Sequence, residues 1–158
     1  MNILTKELQE GIASNPFRVG QIYTRKIVYS ICNPGKIWDK GGNWSTGYAT
    51  AGKKLIIFMN MDTPGRTGHD YNNSYDLENR EIKWCGKTGT RPDTPLIMNL
   101  IEGFSVPHFF ARWDRNDPNF TYIGIGLAES FQEDYVSNAG TAIRFTLRCL
   151  EQQKDLKN

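Results

Sequence analysis

One group of residues in this sequence could carry out metal-dependent hydrolysis of a phosphodiester. Asp70 precedes the triplet Glu81-Ile82-Lys83. The carboxylates of Asp70 and Glu81 could hold Mg²⁺ through oxygen atoms, and the Lys83 ammonium could polarise the attacking water or the phosphate. An acid-x-Lys triplet also occurs on exposed strand edges where charges alternate. Both interpretations stay open at this point.

A second group could hold a flat ligand such as a nucleic-acid base. The segment G-G-N-W-S-T-G-Y carries Trp44 and Tyr48, and the segment G-H-D-Y-N-N-S-Y carries Asp70 and Tyr71. Stacking on an aromatic ring stabilises a base by about 1–3 kcal/mol whatever its identity, and polar side chains can read the edge of the base. We predict that Trp44, Tyr71 and Trp84 enclose a base and that Asp70 reads its edge. Trp44 could instead fill the core beneath a turn.

Basic residues are unevenly distributed along the chain. The net charge is only +2, yet residues 17–61 hold seven Lys or Arg residues and one acid. A local excess of positive charge is typical of a surface that follows phosphates, although a merely solvated surface has the same composition. Arg112 could reach a phosphate or a guanine edge, or pair with a nearby aspartate. We predict contacts to a nucleic-acid backbone from Arg25, Lys53, Lys54, Lys87 and Arg91.

The number and spacing of the cysteines and histidines argue against a zinc site and against a disulfide framework. The three cysteines (Cys32, Cys85 and Cys149) form no C-x-x-C pair, and the two histidines lie far apart. We therefore expect a reducing, cytoplasmic location with no zinc site or disulfide framework, and no cofactor unless Mg²⁺ serves a nuclease. The sequence has no apolar run of about 18 residues and no secretion leader, which predicts no membrane association.

Five apolar or alternating segments predict the strands that would position these residues: K-K-L-I-I-F-M-N-M, R-E-I-K-W-C, V-P-H-F-F-A-R-W, F-T-Y-I-G-I-G-L-A and A-I-R-F-T-L-R-C-L. A length of 158 residues fits one domain. We expect a single domain over 1–158, with a core at about 17–150 and a polar tail or linker at 151–158. The fold class is α+β, with a curved, mostly antiparallel sheet or half-open β-barrel and two or three short helices.

Capping signals predict where the helices begin and end. Thr5 would cap a first helix that Gly11 ends, and Thr94 would cap a second helix that ends at Gly103. The segment Q-I-Y-T-R-K-I-V-Y-S-I-C fits a strand or a helix equally well. Residues 65–86 predict a wide hairpin, because their middle is polar and turn-prone.

Taken together, seven short segments resemble a family of small domains in restriction systems: G-Q-I-Y-T-R-K-I, G-G-N-W, L-I-I-F-M-N, G-H-D-Y-N-N, I-K-W-C-G-K, H-F-F-A-R and F-T-Y-I-G. They span roughly residues 17–148. Such domains are attached to HNH nucleases or helicase-like restriction proteins. They are regarded as DNA readers, distantly similar to the SET- and RING-associated domains that flip out a modified cytosine.

This resemblance implies a partner and a binding surface. The partner would be double-stranded DNA, and the surface would contain Tyr23, Arg25, Trp44, Asp70, Tyr71, Trp84 and Arg112. The chain carries Cys85-Gly86-Lys87 where the family pattern usually has more Gln or Glu, which leaves the recognised base open. It contains no HNH residues, so a cutting domain or subunit would lie elsewhere.

Two alternatives to a DNA reader remain. The segment P-G-R-T-G-H-D followed by E-I-K locally resembles the active-site strand pair of PD-(D/E)xK restriction endonucleases. That resemblance implies Mg²⁺-dependent cleavage by Asp70, Glu81 and Lys83. The third hypothesis is a barrel that binds a free nucleotide, and thermal stabilisation by a small molecule would be its mark.

Overall fold

The computed structural model describes residues 4–38, 42–61, 73–137 and 140–150. Within them lie three α-helices, a short 3₁₀ helix at Gly42–Ser45 and eight strands. The helices are α1 (Lys6–Ala13), α2 (Arg25–Cys32) and α3 (Pro95–Ile101). The strands are β1 (Ile22–Thr24), β2 (Tyr48–Ala51), β3 (Lys54–Asn60), β4 (Ser74–Asp76), β5 (Glu81–Cys85), β6 (Val106–Arg112), β7 (Asn119–Ser137) and β8 (Gly140–Leu150).

The first helix begins as predicted and ends later than predicted. The Thr5 hydroxyl accepts a hydrogen bond from the Leu8 amide at 3.2 Å, which is an N-cap. The helix continues through Gly11 to Ala13. A Cβ at Gly11 would lie 2.7 Å from the Val106 side chain. Gly11 therefore permits close packing of α1 on β6, and the prediction that it ends the helix was wrong.

The segment that fitted both a strand and a helix contains one of each. β1 ends at Thr24, and the Thr24 hydroxyl then caps α2 by accepting a hydrogen bond from the Ile27 amide at 3.2 Å. Further along, α3 begins at Pro95 as predicted, although the Thr94 hydroxyl accepts from the Arg91 amide and does not cap the helix. The left-handed Gly103 (φ +76°) follows the helix, which fits a glycine at its end.

The strands form one open, mixed sheet in the order β2-β3-β6-β7-β8-β5-β4, and β1 pairs with β7. The described neighbours are antiparallel except for the parallel pair β3 and β6. The predicted curved, mostly antiparallel α+β fold is confirmed. The short strands β1, β2 and β4 were not among the five predicted segments, and β7 runs on to Ser137 as an arm paired with β8.

The sheet curls strongly toward one face. Tyr48 on β2 and Trp84 on β5 are five strand positions apart, which in a flat sheet would separate them by about 24 Å. Their ring centroids are 5.6 Å apart. We call the face that carries these two rings the concave face and the opposite one the convex face. The two ends of the sheet approach each other, but the sheet does not close into a barrel.

The core is divided between the two faces. The concave face buries a cluster that includes Ile57, Trp84, Phe109 and Phe145, with α3 packed on it. The convex face buries Phe58 and neighbouring aromatic side chains beneath α2, and a smaller apolar cluster beneath α1. No helix of the described residues is long and apolar enough to cross a membrane.

Candidate nucleic-acid interface

Tyr48 and Lys87 form the centre of the candidate site, where the two ends of the sheet meet. Tyr48 is half-buried at the start of β2 and meets the Trp84 ring at 74°. The Lys87 ammonium lies over the Tyr48 ring, 4.6 Å from its centroid. A cation at this distance is attracted to the negative face of the ring. An aromatic ring and a positive charge therefore lie together where the start of β2 approaches the turn after β5. We call this place the opening of the concave face.

Hydrogen bonds to β8 fix the turn that carries Lys87. The Gly86 amide donates to the Ile143 carbonyl at 3.1 Å, and the Gly89 amide donates to the Thr141 carbonyl at 2.8 Å. A Cβ at Gly86 would lie 2.6 Å from the Thr90 hydroxyl, so this position requires a residue without a side chain. The turn is therefore a continuation of the β5–β8 pairing, which defines the backbone position of Lys87.

Asn73 fixes the start of β4 beside the same site. Its Oδ1 accepts a hydrogen bond from the Cys85 amide at 3.1 Å, one residue beyond Trp84. From the sequence, Asn73 could read the edge of a base or serve as a turn residue, and this bond to the Cys85 amide was not predicted. Asp70 and Tyr71 precede Asn73 in the chain, and both lie outside the described residues.

Trp84 is not available as a wall of a base pocket. Its side chain is 3% exposed, and it packs between Tyr48, Phe109 and Phe145 with centroid distances of 5.6, 6.3 and 6.1 Å. Alternation along β5 turns Trp84 inward with Ile82. The prediction that Trp84 encloses a base is therefore wrong. The indole belongs to the core, where it packs against the Tyr48 ring.

Trp44 lies on the other side of the sheet. It packs against the convex-face cluster and meets the Tyr29 ring of α2 at 5.2 Å. Trp44 and Trp84 therefore lie on opposite faces, and they do not form one aromatic cage as predicted. The sequence could not reveal this, because the faces depend on strand register and on the packing of α2.

Arg25 and Tyr23 also belong to the convex face. The Arg25 guanidinium lies 4.5 Å from the Phe58 ring centroid and donates to the Trp44 and Thr46 carbonyls at 3.2 and 2.6 Å. The Tyr23 ring packs edge-on against buried phenylalanines, and its hydroxyl accepts from the Arg18 amide. Both residues hold the convex face together, and neither shares a face with Tyr48.

Arg112 also lies on the convex face, and its guanidinium is held by hydrogen bonds and by an aromatic ring. Its Nε donates to Asn60 Oδ1 at 2.7 Å, its Nη1 donates to the Asp117 carbonyl at 2.8 Å, and its guanidinium lies 4.5 Å from the Phe120 ring centroid. Desolvation lowers the pKa of Arg112 from its ordinary value, although the nearby Asp117 and Asp114 oppose the shift. Asn60 lies directly across the β3–β6 pair from Arg112.

The remaining predicted cations lie in turns or at the start of a strand. Lys53 is exposed in the turn between β2 and β3, and Lys54 is half-buried at the start of β3. Arg91 is exposed before α3, 3.8 Å from Asp93. Lys53 and Arg91 are accessible to a phosphate backbone, whereas two backbone carbonyls and the Phe58 ring hold the Arg25 guanidinium on the convex face.

Glu81 and Lys83 pair with each other on β5. Lys83 Nζ lies 3.6 Å from Glu81 Oε1 and donates to the Thr146 hydroxyl at 2.8 Å. Asp70, the third residue of the predicted magnesium site, lies outside the described residues. Among the described residues, no three His, Cys, Asp or Glu side chains are grouped as metal ligands.

The curled sheet with its flanking helices is the fold of SRA domains. The SRA domain of SUVH5, solved with hemimethylated CG DNA, is 15% identical and gives a TM-score of 0.53 over 85% of this chain and 89% of that chain. The DNA recognition domain of the cytosine modification-dependent restriction endonuclease LpnPI is 11% identical, with a TM-score of 0.52 over 90% and 77%.

A third similar structure contains the sulfur binding domain and SRA domain of ScoMcrA complexed with phosphorothioated DNA. It is 11% identical and gives a TM-score of 0.57 over 94% of this chain and 46% of that one. The chain itself belongs to the family described as "Domain of unknown function (DUF3427)", which matches residues 17–154. A comparison with curated protein sequences finds no match. The resemblance to SRA-type domains expected from the sequence is confirmed for the fold.

Proposed function

We propose that this domain binds double-stranded DNA and reads a modified base at the opening of its concave face. The observation that carries the proposal is the fold shared with SRA domains that were solved with methylated and phosphorothioated DNA. The LpnPI domain, a recognition domain of a modification-dependent restriction endonuclease, has the same fold. DNA cleavage would then be the task of a separate nuclease domain or subunit.

Tyr48 is the ring best placed to hold a base that leaves the duplex. Flipping a base costs a few kcal/mol of stacking and pairing, which a new stacking partner can offset. Because Trp84 contacts Tyr48 from the core, the phenol ring is already oriented before DNA arrives. Lys87, above the ring, would move toward a phosphate when the base enters.

Asp70 and Tyr71 supply the base-specific contacts in this proposal. They lie three and two positions before Asn73, whose side chain accepts a hydrogen bond from the amide next to Trp84. We assign Tyr71 as the second stacking ring and Asp70 as the acceptor for a donor on the edge of the base. Trp84 supports Tyr48 and Trp44 supports the convex face, so neither tryptophan touches the base.

In this proposal the phosphate contacts come from four cations, of which Lys53 and Arg91 are exposed and Lys54 and Lys87 half-buried. Lys87 and Arg91 follow β5, Lys53 lies in the β2–β3 turn, and Lys54 begins β3. Binding through such contacts releases counterions, so affinity should fall steeply as salt rises. The proposed reader uses no metal, and EDTA should leave its affinity unchanged.

Fluorescence anisotropy with labelled duplexes tests the proposal. The duplexes share one sequence and carry cytosine, 5-methylcytosine, 5-hydroxymethylcytosine or a phosphorothioate at one central position. We expect at least tenfold tighter binding to one modified duplex, and we expect Tyr48→Leu to remove that preference. Equal affinity for all duplexes across a salt series would contradict base reading.

Tyr135→Leu is the matched control. Tyr135 is also half-buried and also carries a cation over its ring, with Arg144 at 4.6 Å, but it lies on the β7 arm. It should keep the preference that Tyr48→Leu loses. Loss of preference in both variants would show that the effect does not arise from a base held at Tyr48.

A further inference from the structure

The convex face contains a cleft that the proposed base-reading site does not use. Its volume is about 380 Å³, and we call it the α2 cleft. It lies between the first turn of α2 and the turn that joins β6 to β7. Its lining residues are Thr24, Arg25, Lys26, Arg112, Asn116 and Pro118.

Arg112 lines this cleft with a guanidinium whose position is fixed. Hydrogen bonds to Asn60 and to the Asp117 carbonyl, together with the Phe120 ring, hold it in place. A guanidinium has five N–H donors, and two of them are bonded within the described part of the chain. A fixed guanidinium with further donors suits the oxygen atoms of a phosphate.

Arg25 places a second guanidinium on the same ring. The Phe120 ring centroid is 5.1 Å from the Arg25 guanidinium carbon and 4.5 Å from that of Arg112. The two guanidinium carbons are therefore no more than about 10 Å apart, a distance comparable to the Debye length at 0.1 M salt. Like charges at such a separation repel each other, and an anion bound in the cleft that both side chains line would reduce this repulsion.

Lys26 and the N-terminal end of α2 add to the positive potential in the α2 cleft. Lys26 is exposed in the first turn, which contains no acidic residue, and it has no ion-pair partner within the described residues. The helix dipole also favours an anion at this end. Two acids lie nearby: Asp114 accepts from the Asn116 amide, Asp117 accepts from the Asn119 amide, and both carboxylates act on the Arg112 charge. The three cations that line the cleft outnumber these two acids.

We propose that the α2 cleft binds a phosphate group, with Arg112 and Lys26 as its principal contacts. The phosphate could belong to a free nucleotide or to the backbone of a nucleic acid, because both present the same oxygen atoms. The site is separate from the opening at Tyr48, since Arg112 and Tyr48 lie on opposite faces of the sheet.

Titration calorimetry and thermal unfolding with inorganic phosphate, pyrophosphate and a nucleoside triphosphate test the site. We expect saturable stabilisation of the wild-type domain and at least a tenfold loss of affinity in Lys26→Glu. Lys36→Glu is the matched control, because Lys36 is exposed beyond the end of α2 and does not line the cleft. Equal binding by the two variants, or no saturable binding to the wild type, would overturn the proposal.

An unmodified duplex distinguishes the two sources of phosphate. If the backbone is the ligand, Lys26→Glu weakens duplex binding and reduces the salt slope by about one. If a free nucleotide is the ligand, duplex affinity stays unchanged while nucleotide affinity falls. Both results support the cleft, and neither depends on a preference for modified bases. Arg112→Lys, which keeps the charge but loses the planar donors, should weaken phosphate binding in either case.

Discussion

The imidazole Nδ1 of His108 lies 2.9 Å from the hydroxyl oxygen of Tyr122, in the interior of the protein. That hydroxyl also accepts a hydrogen bond from the Asn15 amide side chain at 2.9 Å. The tautomer of the neutral ring decides whether Nδ1 accepts from this hydroxyl or donates to it, and the buried Nε2 has no hydrogen-bond partner within the described residues. These hydrogen bonds link the segment after α1 to strands β6 and β7. Because His108 is buried, its protonation state affects the stability of the fold.

His108 should make the domain less stable in mild acid. Burial, aided by Lys54, lowers the pKa of His108 from 6.5 to about 3. The unfolded chain binds this proton below about pH 6.5 and the folded chain does not, so stability is lost as the pH falls below 6.5. Between pH 7 and pH 5 the loss should be about 2 kcal/mol from this residue.

Chemical denaturation at both pH values measures this effect. His108→Asn should be less stable at pH 7 and should show a smaller change between pH 7 and pH 5. The His108 ring resonances in the wild-type domain should also stay constant from pH 7 to pH 5. Titration of these resonances near pH 6.5 would contradict the assignment of a neutral ring.

Replacing Trp84 should destabilise the fold far more than replacing a surface aromatic residue. Trp84 joins the two ends of the curled sheet through Tyr48 and packs on Phe109 and Phe145. Trp84→Ala should cost about 3–5 kcal/mol, as buried aromatic truncations do. Trp113→Ala, at an exposed position, should change the denaturation midpoint little. A small effect at Trp84 would show that the indole does not belong to the core.

Gly126 should not tolerate a methyl group. A Cβ there would lie 2.7 Å from the Phe109 ring and 3.2 Å from Leu147. Gly126→Ala should cost about 1–3 kcal/mol through overpacking. Gly47→Ala is the control, because a Cβ at that position would meet no atom within 4 Å and its φ is not left-handed. Equal thermal stability of the two variants would mean that the sheet relaxes around Gly126.

Glu81 should be dispensable for both stability and DNA binding. Its ion pair with Lys83 is partly exposed on both sides, so Glu81→Ala should cost less than about 1 kcal/mol. Incubation of a plasmid with Mg²⁺ should give the same result for the wild type and this variant. Cleavage that is present in the wild type and absent in Glu81→Ala would revive the nuclease hypothesis.

Local signals in the sequence determined much of the fold. Apolar runs predicted β3 and β6, alternation predicted β5 and β8, and Thr5 and Pro95 marked the beginnings of two helices. These features depend on neighbouring residues, because capping and side-chain alternation act within a few positions. The resemblance to SRA-type readers also came from the sequence, through short aromatic and glycine-containing segments spread over most of the chain.

The tertiary structure alone decided which side chains share a face. Trp44 and Trp84 looked equivalent in the sequence, yet register and curl place them on opposite faces and bury Trp84. The contact between Tyr48 and Lys87, and the approach of Arg25 and Arg112 to one ring, join residues that are distant in the chain. Such pairs depend on strand order and on the curvature of the sheet, which no local pattern encodes.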